Sequence, residues 1–241
     1  VRGLATYCYT HLLKPDNKLH DVEQNMKILD SLDIVHDNEE INMTVTIPEY
    51  LKKNMDEYLS SKGIRARENI IGFHPGSSQS QKWKRWPAQH FTELINQIHS
   101  NWETPFLIFG DQQETHLINE IISTLNKDVK IVPVIDKNIT EVAALISMCC
   151  AFISNDSGLM HIAVATGIPT FCIAGPTDIK KTGPYGPNTY IVHSDLDCLF
   201  CYNFNTVNFS CPLNIDYKCL KEFYPVEVFR KISPALSNIL V

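Results

Sequence analysis

The sequence has 241 residues, of which 44% are hydrophobic and 20% charged, and its formal net charge is −6. This composition is typical of a soluble globular protein, and the length allows one large domain or one domain with part of another. The acidic balance argues against broad nucleic-acid binding, and no apolar run approaches the roughly 20 residues that a membrane-spanning helix needs.

The first 68 residues predict two helices and little sheet. Apolar residues recur at helical spacing over 22–32 and again over 51–59, and a short TVTI strand (44–47) is predicted before the second helix. Two helices cannot bury a core of much size. We therefore divide the chain into residues 1–68, the tail of an upstream domain plus a connector, and residues 69–241, the main domain.

From residue 70 onward, short apolar runs alternate with amphipathic stretches. The runs are bounded by Gly, Pro, Asn or Asp, as strands buried in a parallel sheet are. The alternation predicts an α/β fold with a doubly wound parallel sheet and helices on both faces. The predicted strands are 70–73, 106–109, 129–135, 151–154, 169–174 and 189–192, and the predicted helices follow Pro87 and include 117–125, 142–149 and 159–166.

The segment HPGSSQSQKWKRWP (74–87) lies between the first of these strands and a helix. Ligands of open α/β sheets bind at the carboxyl ends of the strands, so the segment is well placed for binding. Gly76 allows a tight turn, Ser77 and Ser78 provide hydroxyl donors, and Lys82, Lys84 and Arg85 provide positive charge. With the amides of the helix that follows, these groups suit a mono- or diphosphate. The alternative is a solvated polar loop.

Two further turns carry polar residues at strand ends. In FGDQQE (109–114), Glu114 is placed to accept hydrogen bonds from a ribose, with Asp111 as the helix cap; the alternative is an exposed acid favoured by the helix dipole. In NDSGLMHIAVATGIP (155–169), Asp156, Ser157, Gly158 and His161 form a second anion cradle at a helix N-terminus. The alternatives are that Asp156 only caps the helix and that His161 is a buried, satisfied histidine.

The C-terminal third contains two motifs. The loop GPTDIKKTGPYGP (175–187) is rigid, and Thr177 and Asp178 either contact the ligand or serve a structural loop. The cysteines Cys198, Cys201, Cys211 and Cys219 have the spacing C-x2-C-x9-C-x7-C, which suits a structural zinc site. Iron–sulfur ligation, two disulfides and plain thiols are the alternatives. The other cysteines (Cys8, Cys149, Cys150 and Cys172) are interpreted as small core residues, and the cytoplasm is favoured over a secreted disulfide scaffold.

The order of these motifs resembles the C-terminal domain of the glycosyltransferase family 9 heptosyltransferases. The resemblance rests on HPGSS with KRWPAQHF, then FGDQQE, then NDSGLMHIAVATGIPTFCIAGPTD and TGPYGP, and covers about residues 69–232. The later C-x2-C pair and Cys219 are similar to those of cysteine-bearing members, and HDVEQNMKILDSL (20–32) is similar to the segment ending the family's N-terminal domain.

The resemblance implies a GT-B architecture, of which this chain is the Rossmann-like C-terminal half. It implies that Ser77, Ser78 and Lys84 hold the phosphates of an ADP-heptose donor and that Glu114 holds its ribose. Asp156, Ser157, Gly158 and His161 would line the pyrophosphate and sugar side. Because the loop is longer here than in the family's pattern, Lys82 is an alternative to Lys84. Residues 136–139 are expected near the adenine.

By the same resemblance, the reaction transfers a heptose from ADP-heptose to the lipid A–linked inner core of lipopolysaccharide. The catalytic base is expected in an N-terminal acceptor domain that would precede this chain, so that the chain alone would be inactive. No cofactor is expected for catalysis, and the location is expected to be the cytoplasm with at most peripheral membrane contact. The rival hypotheses are a transferase for another nucleotide sugar, and a non-catalytic nucleotide-binding or scaffolding module.

Overall fold

The computed structural model describes residues 9–10, 12–34, 41–65, 68–202 and 209–240. Its centre is one parallel sheet with the strand order β3-β2-β1-β4-β5-β6. The strands are β1 (Ile71–His74), β2 (Phe106–Phe109), β3 (Ile131–Val134), β4 (Ala151–Asn155), β5 (Thr170–Ile173) and β6 (Thr189–Val192). The predicted α/β class and doubly wound sheet are therefore confirmed, with strand ends within a few residues of the prediction.

Burial follows the position of each strand in the sheet. The central strands β1, β2, β4 and β5 are buried at every residue, whereas the edge strands β3 and β6 each have exposed residues. Pro133 lies in β3 and is exposed. Proline is tolerated there because an edge strand leaves some amide positions without a ladder partner.

Helices cover both faces of the sheet. One face is packed by α3 with α4 and α9, and the other by α2, α5 and α6. The helices are α1 (Asp21–Asp30), α2 (Glu49–Ser61), α3 (Ala88–Trp102), α4 (Thr115–Ser123), α5 (Ile139–Ser147), α6 (Gly158–Thr166), α7 (Ile179–Thr182), α8 (Lys218–Lys221) and α9 (Pro225–Leu240).

The N-terminal segment joins the main core through α2. Leu51, Met55 and Leu59 of α2 are buried in the same apolar cluster as Leu107 of β2. The first helix, α1, has no buried residue, and His20 at its N-cap connects it to the sheet domain by a 3.0 Å hydrogen bond to the Gly183 carbonyl. The division at residue 68 stays a prediction.

The predicted TVTI strand at 44–47 is wrong. These residues form no strand, and the Val45 amide instead donates to the Ala165 carbonyl at the end of α6. The segment crosses a helix rather than a sheet edge, so it has no strand with which to form a ladder. Local β-propensity was overridden by this tertiary position.

Candidate functional site

The site lies where the strand order reverses. The strand β1 pairs with β2 on one side and with β4 on the other, so the turn after β1 (residues 74–87, the first turn) lies beside the turn after β4 (residues 155–158, the second turn). Open α/β sheets bind ligands at this switch point. The predicted convergence of the two turns on one crevice is confirmed.

Two cavities open at this crevice. The larger has a volume of 620 Å³ and the smaller a volume of 170 Å³. They share Ser78, Ser157 and Gly158 in their linings, so they meet between the two turns. The larger volume is in the usual range of about 300–1,000 Å³ for small-molecule sites.

The larger cavity has one apolar wall and one polar wall. Ile139 and Val142 of α5 and Leu159 and Ile162 of α6 form the apolar wall. The polar wall is formed by His74, Ser77, Ser78, Gln79, Asp111, Gln112, Glu114, Asp136, Lys137 and Ser157. A flat group such as a nucleobase fits the first wall and a sugar or phosphate the second. Asp136, Lys137 and Ile139 line this cavity, and their expected position near the adenine stays a prediction.

The first turn is folded around the buried carboxylate of Glu114. Its Oε1 accepts from the Ser77 amide at 2.9 Å and from Arg85 Nη2 at 3.1 Å. Its Oε2 accepts from His74 Nε2 at 3.2 Å and from the Asp111 amide at 3.3 Å. A carboxylate has about four lone-pair positions, so these bonds occupy its capacity. A ribose hydroxyl would have to replace one of them, and the ribose contact stays a prediction.

Opposing effects act on the pKa of Glu114. Burial works to raise it, but the hydrogen bond and charge of His74, the Asp111 amide and the charge of Arg85 outweigh burial and lower the pKa below its ordinary value of 4.5. The carboxylate is therefore ionised at neutral pH. It balances the Arg85 guanidinium inside the protein, whereas Lys84, the buried lysine that lines the smaller cavity, pairs with Asp156.

Gly76 is required by the close approach of this carboxylate. A Cβ at position 76 would lie 1.9 Å from Glu114 Oε1, a distance that no side chain can adopt. The same packing buries Ser77. Its hydroxyl donates a hydrogen bond to the Gln81 carbonyl and accepts one from Arg85 Nε at 3.1 Å. Ser78 is exposed and lines both cavities.

Lys84, and not Lys82, faces the second turn. Lys84 is buried, lines the smaller cavity and pairs with Asp156 at 2.9 Å. Lys82 is exposed and lines neither of the two cavities. The geometry thus favours Lys84 of the two alternatives. It also gives Asp156 a partner on the opposite turn, and because Ser157 is the N-cap residue of α6, the alternative that Asp156 only caps this helix is not favoured.

The second turn presents the N-terminus of α6 to the cavities. Ser157 is the N-cap residue, but its side chain makes no capping hydrogen bond. Its hydroxyl lies 2.8 Å from His74 Nδ1, which joins the two turns. The first amides of α6 lie at the positive end of the helix dipole and suit an anion. Gly158 is exposed, with open space where a Cβ would stand.

His161 lies one turn into α6 and lines the smaller cavity. Its pKa is lowered mainly by burial, with smaller contributions from the charges of His20 and Lys84, while Asp156 acts in the opposite direction. The imidazole is therefore neutral at pH 7. The four predicted residues of the second turn and its helix thus share one small cavity with Lys84.

Sequence reasoning missed residues that hold the site together. Asn155 connects the turns, because its side chain accepts from the Trp86 amide at 3.0 Å and donates to the Pro75 carbonyl at 2.7 Å. His74 bridges Ser157 and Glu114, and Thr182 lines the smaller cavity. His74 and Asn155 are the last residues of β1 and β4, and they are polar residues directly after the apolar runs 70–73 and 151–154, which is the signal that could have identified them.

The loop at 175–187 serves the fold at Thr177 and Asp178. Thr177 is buried and bridges to Tyr202, and Asp178 caps α7 through the Lys180 amide. Neither residue lines the two cavities. The structural alternative for these two residues is therefore favoured.

The seven cysteines among the described residues are free thiols, and Cys8 lies outside that part of the chain. Cys149 and Cys172 are buried and Cys150 is partly buried, as predicted for core residues. In the part of the chain that the structure describes, no three His, Cys, Asp or Glu side chains are grouped to hold a metal ion.

The C-terminal cysteines still influence one another. Burial raises the pKa of Cys219 to about 12, and the charges of Cys201, Cys198 and Cys211 add to this. For Cys211, burial also acts to raise the pKa, but hydrogen bonds from the backbone amides of residues 217, 215, 213 and 214 outweigh it and lower the pKa. The Cys211 thiol thus accepts hydrogen bonds from several backbone amides.

Among the described residues, no helix is both long and apolar enough to cross a membrane. The family profile "Glycosyltransferase family 9 (heptosyltransferase)" matches residues 1–208. Lipooligosaccharide heptosyltransferase 2 of Campylobacter jejuni is 32% identical over 179 residues, which cover 73% of this chain and 53% of that protein. The chain therefore spans about half the length of this relative.

Solved structures show the same fold. A family 9 glycosyl transferase from Veillonella parvula matches 98% of this chain and 64% of its own, with a TM-score of 0.78 and 20% identity. The E. coli ADP-heptose lps heptosyltransferase II matches 85% of this chain and 55% of its own length, with a TM-score of 0.65 and 22% identity. The iron-containing heptosyltransferase TibC, in complex with ADP-D-beta-D-heptose, matches 72% of this chain and 46% of its own length, with a TM-score of 0.56 and 18% identity. The predicted resemblance is confirmed: the chain belongs to glycosyltransferase family 9, the heptosyltransferase family.

Proposed function

We propose that this chain binds the ADP-heptose donor of a heptosyltransferase that acts on the inner core of lipopolysaccharide. The observation that carries the proposal is the pair of cavities that meet at Ser78, Ser157 and Gly158. The larger has an apolar slot for a nucleobase, and the smaller has a buried lysine and a helix N-terminus. A sugar nucleotide has this order of groups, with a diphosphate between its nucleoside and its sugar.

The proposed placement follows the two linings. The nucleoside lies in the larger cavity beside residues 136–142, with Glu114 near the ribose. The diphosphate lies at the junction, held by Ser78, Ser157 and the first amides of α6. Lys84 and His161 face the phosphate distal to the nucleoside and the heptose. Asp156 holds Lys84 in place by their 2.9 Å ion pair.

In the proposed mechanism, this chain stabilises the leaving group. When the bond between the heptose and the diphosphate breaks, negative charge grows on the phosphate oxygens. Lys84 and the α6 amides are fixed donors at the junction, and fixed donors aimed at developing charge lower a barrier by about 2–4 kcal/mol each. The base that deprotonates the acceptor hydroxyl comes from an acceptor domain, which we propose as the second half of the enzyme and the partner of residues 69–241.

Binding of the donor is tested by calorimetry with ADP and ADP-heptose on the folded chain. We expect both to bind more tightly than about 1 mM, which corresponds to about 4 kcal/mol. UDP and GDP serve as matched competitors, and stronger competition by either would point to another nucleotide sugar. Absence of binding by a chain that circular dichroism shows to be folded would remove the proposal.

Transfer is tested by mixing the chain with a separately expressed acceptor domain. We expect heptose transfer from the mixture and none from either part. The matched control replaces the chain by its Lys84→Met variant, in which the length of the side chain is kept and its charge is lost. A mixture that binds ADP-heptose but transfers nothing would favour the non-catalytic binding module.

A structural metal at Cys198, Cys201, Cys211 and Cys219 remains a proposal. It is supported by the C-x2-C-x9-C-x7-C spacing and by the free state of all four thiols. Among the described residues these thiols are not grouped around one point, so metal binding would have to bring them together. Four thiolates suit zinc or iron, and such a closed site has no open position for catalysis. Metal analysis of freshly purified protein tests it. About one equivalent of zinc or iron is expected, and less than half an equivalent favours plain thiols.

A further inference from the structure

The first turn has an aromatic contact that the donor site alone does not explain. Trp83 is half-buried and directly precedes Lys84. Its ring lies 4.7 Å from that of Tyr202, 4.8 Å from that of Phe209 and 6.4 Å from that of Tyr217, centroid to centroid. The ring of Tyr217 is nearly parallel to it, at 14°. Aromatic pairs at such distances contribute beyond the area that they bury.

The three partner rings belong to the cysteine-rich segment (residues 198–202 and 209–219). Phe209 and Tyr217 are joined by the bond from Tyr217 Oη to the Phe209 carbonyl, at 3.2 Å. The amide of Tyr202 donates to the Pro176 carbonyl at 2.7 Å, in the loop after β5. Tyr202 is therefore tied to the sheet domain, and its ring lies 4.9 Å from that of Phe209, so the three rings form one group that can hold Trp83 in place.

The consequence reaches Lys84. A lysine side chain is flexible and loses much rotamer freedom when its ammonium is held at one point. The Lys84 Nζ lies 5.7 Å from the centre of the Trp83 ring and 2.9 Å from Asp156 Oδ2. The ammonium thus has two neighbours, the Trp83 ring and the Asp156 carboxylate. The neighbouring residues 78–80 are exposed, so the 3₁₀ turn Gln79–Lys84 has few other buried anchors.

We propose that Trp83 is a positioning residue for Lys84, held by the rings of Tyr202, Phe209 and Tyr217 in the cysteine-rich segment. This segment then contributes to diphosphate binding, although none of its residues lines the two cavities. The inference rests on the proposed function. It adds that affinity for the diphosphate depends on packing outside the cavities.

The test compares ADP with adenosine, because adenosine lacks the diphosphate that Lys84 faces. We expect Trp83→Ala to weaken ADP binding about three- to tenfold, the equivalent of one lost aromatic contact, and to leave adenosine binding unchanged. Calorimetry gives the first affinity and ligand-observed NMR the second. Tyr217→Ala should weaken ADP binding in the same way, and the double variant should lose less than the product of the two effects.

Trp102→Ala is the matched control, since Trp102 is also half-buried and packs on one ring, Phe229, at 5.8 Å. It should leave the ratio of ADP to adenosine affinity unchanged. If Trp83→Ala binds ADP as the unmodified chain does, or loses adenosine to the same extent, the inference is wrong. If the unmodified chain binds no ADP, the proposed function itself fails. Trp83→Phe, which keeps a ring and the fold, should retain most of the affinity.

Discussion

The two turns that form the crevice are built in different ways. The first turn is long, carries Lys84 and Arg85, and is folded around the buried carboxylate of Glu114, to which it donates three hydrogen bonds. The second turn is short, and the start of α6 defines it. Ser157 makes no capping hydrogen bond, although its hydroxyl bonds to His74 Nδ1, and Gly158 has open space where a Cβ would stand.

The difference separates two ways of holding an anion. Backbone amides at a helix N-terminus need only the helix, so the second turn remains open and tolerates change. A long loop with cations must be held by other charges, or its side chains stay mobile. The first turn therefore depends on interactions at its base, and damage there should affect stability and binding together. A change at Gly158, which is exposed and has open space where a Cβ would stand, should affect binding alone.

The largest expected effect on stability comes from replacing a glycine of each turn by alanine, which adds one methyl group. Gly76→Ala places a Cβ 1.9 Å from Glu114 Oε1 and should lower the free energy of unfolding by about 3 kcal/mol, the upper range for overpacking. Gly158→Ala meets open space at the first residue of a helix and should leave stability unchanged or raise it by about 0.5 kcal/mol. Urea denaturation measures both. Equal decreases in unfolding free energy for Gly76→Ala and Gly158→Ala would contradict the difference that we infer between the two turns.

The next effect separates the two lysines of the first turn. Lys84→Met removes the buried cation opposite Asp156 and should weaken ADP binding by about 2 kcal/mol, or roughly 30-fold. Lys82→Met changes an exposed side chain that lines neither cavity, and should change affinity less than about twofold. Calorimetry with ADP measures both variants. A larger loss for Lys82→Met would reverse the assignment of the phosphate-binding lysine.

Much of the fold could be predicted from hydrophobic pattern. Strands such as β2 are apolar at every residue and end at Gly110, so both their type and their ends are encoded locally. The TVTI segment failed because nothing in its own sequence shows that it crosses α6 and not a sheet edge. The position of Pro133 in an edge strand likewise depends on the order of strands, which is a tertiary property.

The candidate site was predictable in its location but not in its internal bonds. Strand-end turns with Gly, Ser and Lys point to a ligand at the switch point, and the two turns do meet there. That Glu114 is engaged by His74 and Arg85 could not be seen, because these residues are far apart in sequence. The choice between Lys82 and Lys84 depended on which one the 3₁₀ turn buries, and spacing alone does not give that.

The smallest expected effect is a pH dependence of the first turn. Because the pKa of Glu114 is below its ordinary value of 4.5, its ionised form contributes stability that is fully present above pH 4.5. This contribution is lost as the pH falls through the lowered pKa, since the folded protein then has to take up a proton there. Glutamine cannot ionise, so the Glu114→Gln variant lacks this pH-dependent contribution to stability. The difference in unfolding free energy between the unmodified chain and the variant should therefore narrow below pH 4.5.

Urea denaturation between pH 6 and pH 3 measures this gap. Asp195→Asn is the control, because its carboxylate also has a lowered pKa, chiefly from the hydrogen bond with Lys231, and lines neither cavity. In each variant the difference in unfolding free energy from the unmodified chain should narrow at low pH, whereas the ADP affinity at pH 7 should fall in Glu114→Gln and stay unchanged in Asp195→Asn. If the difference in unfolding free energy between the unmodified chain and Glu114→Gln stays constant from pH 6 to pH 3, the charge of Glu114 does not stabilise the first turn.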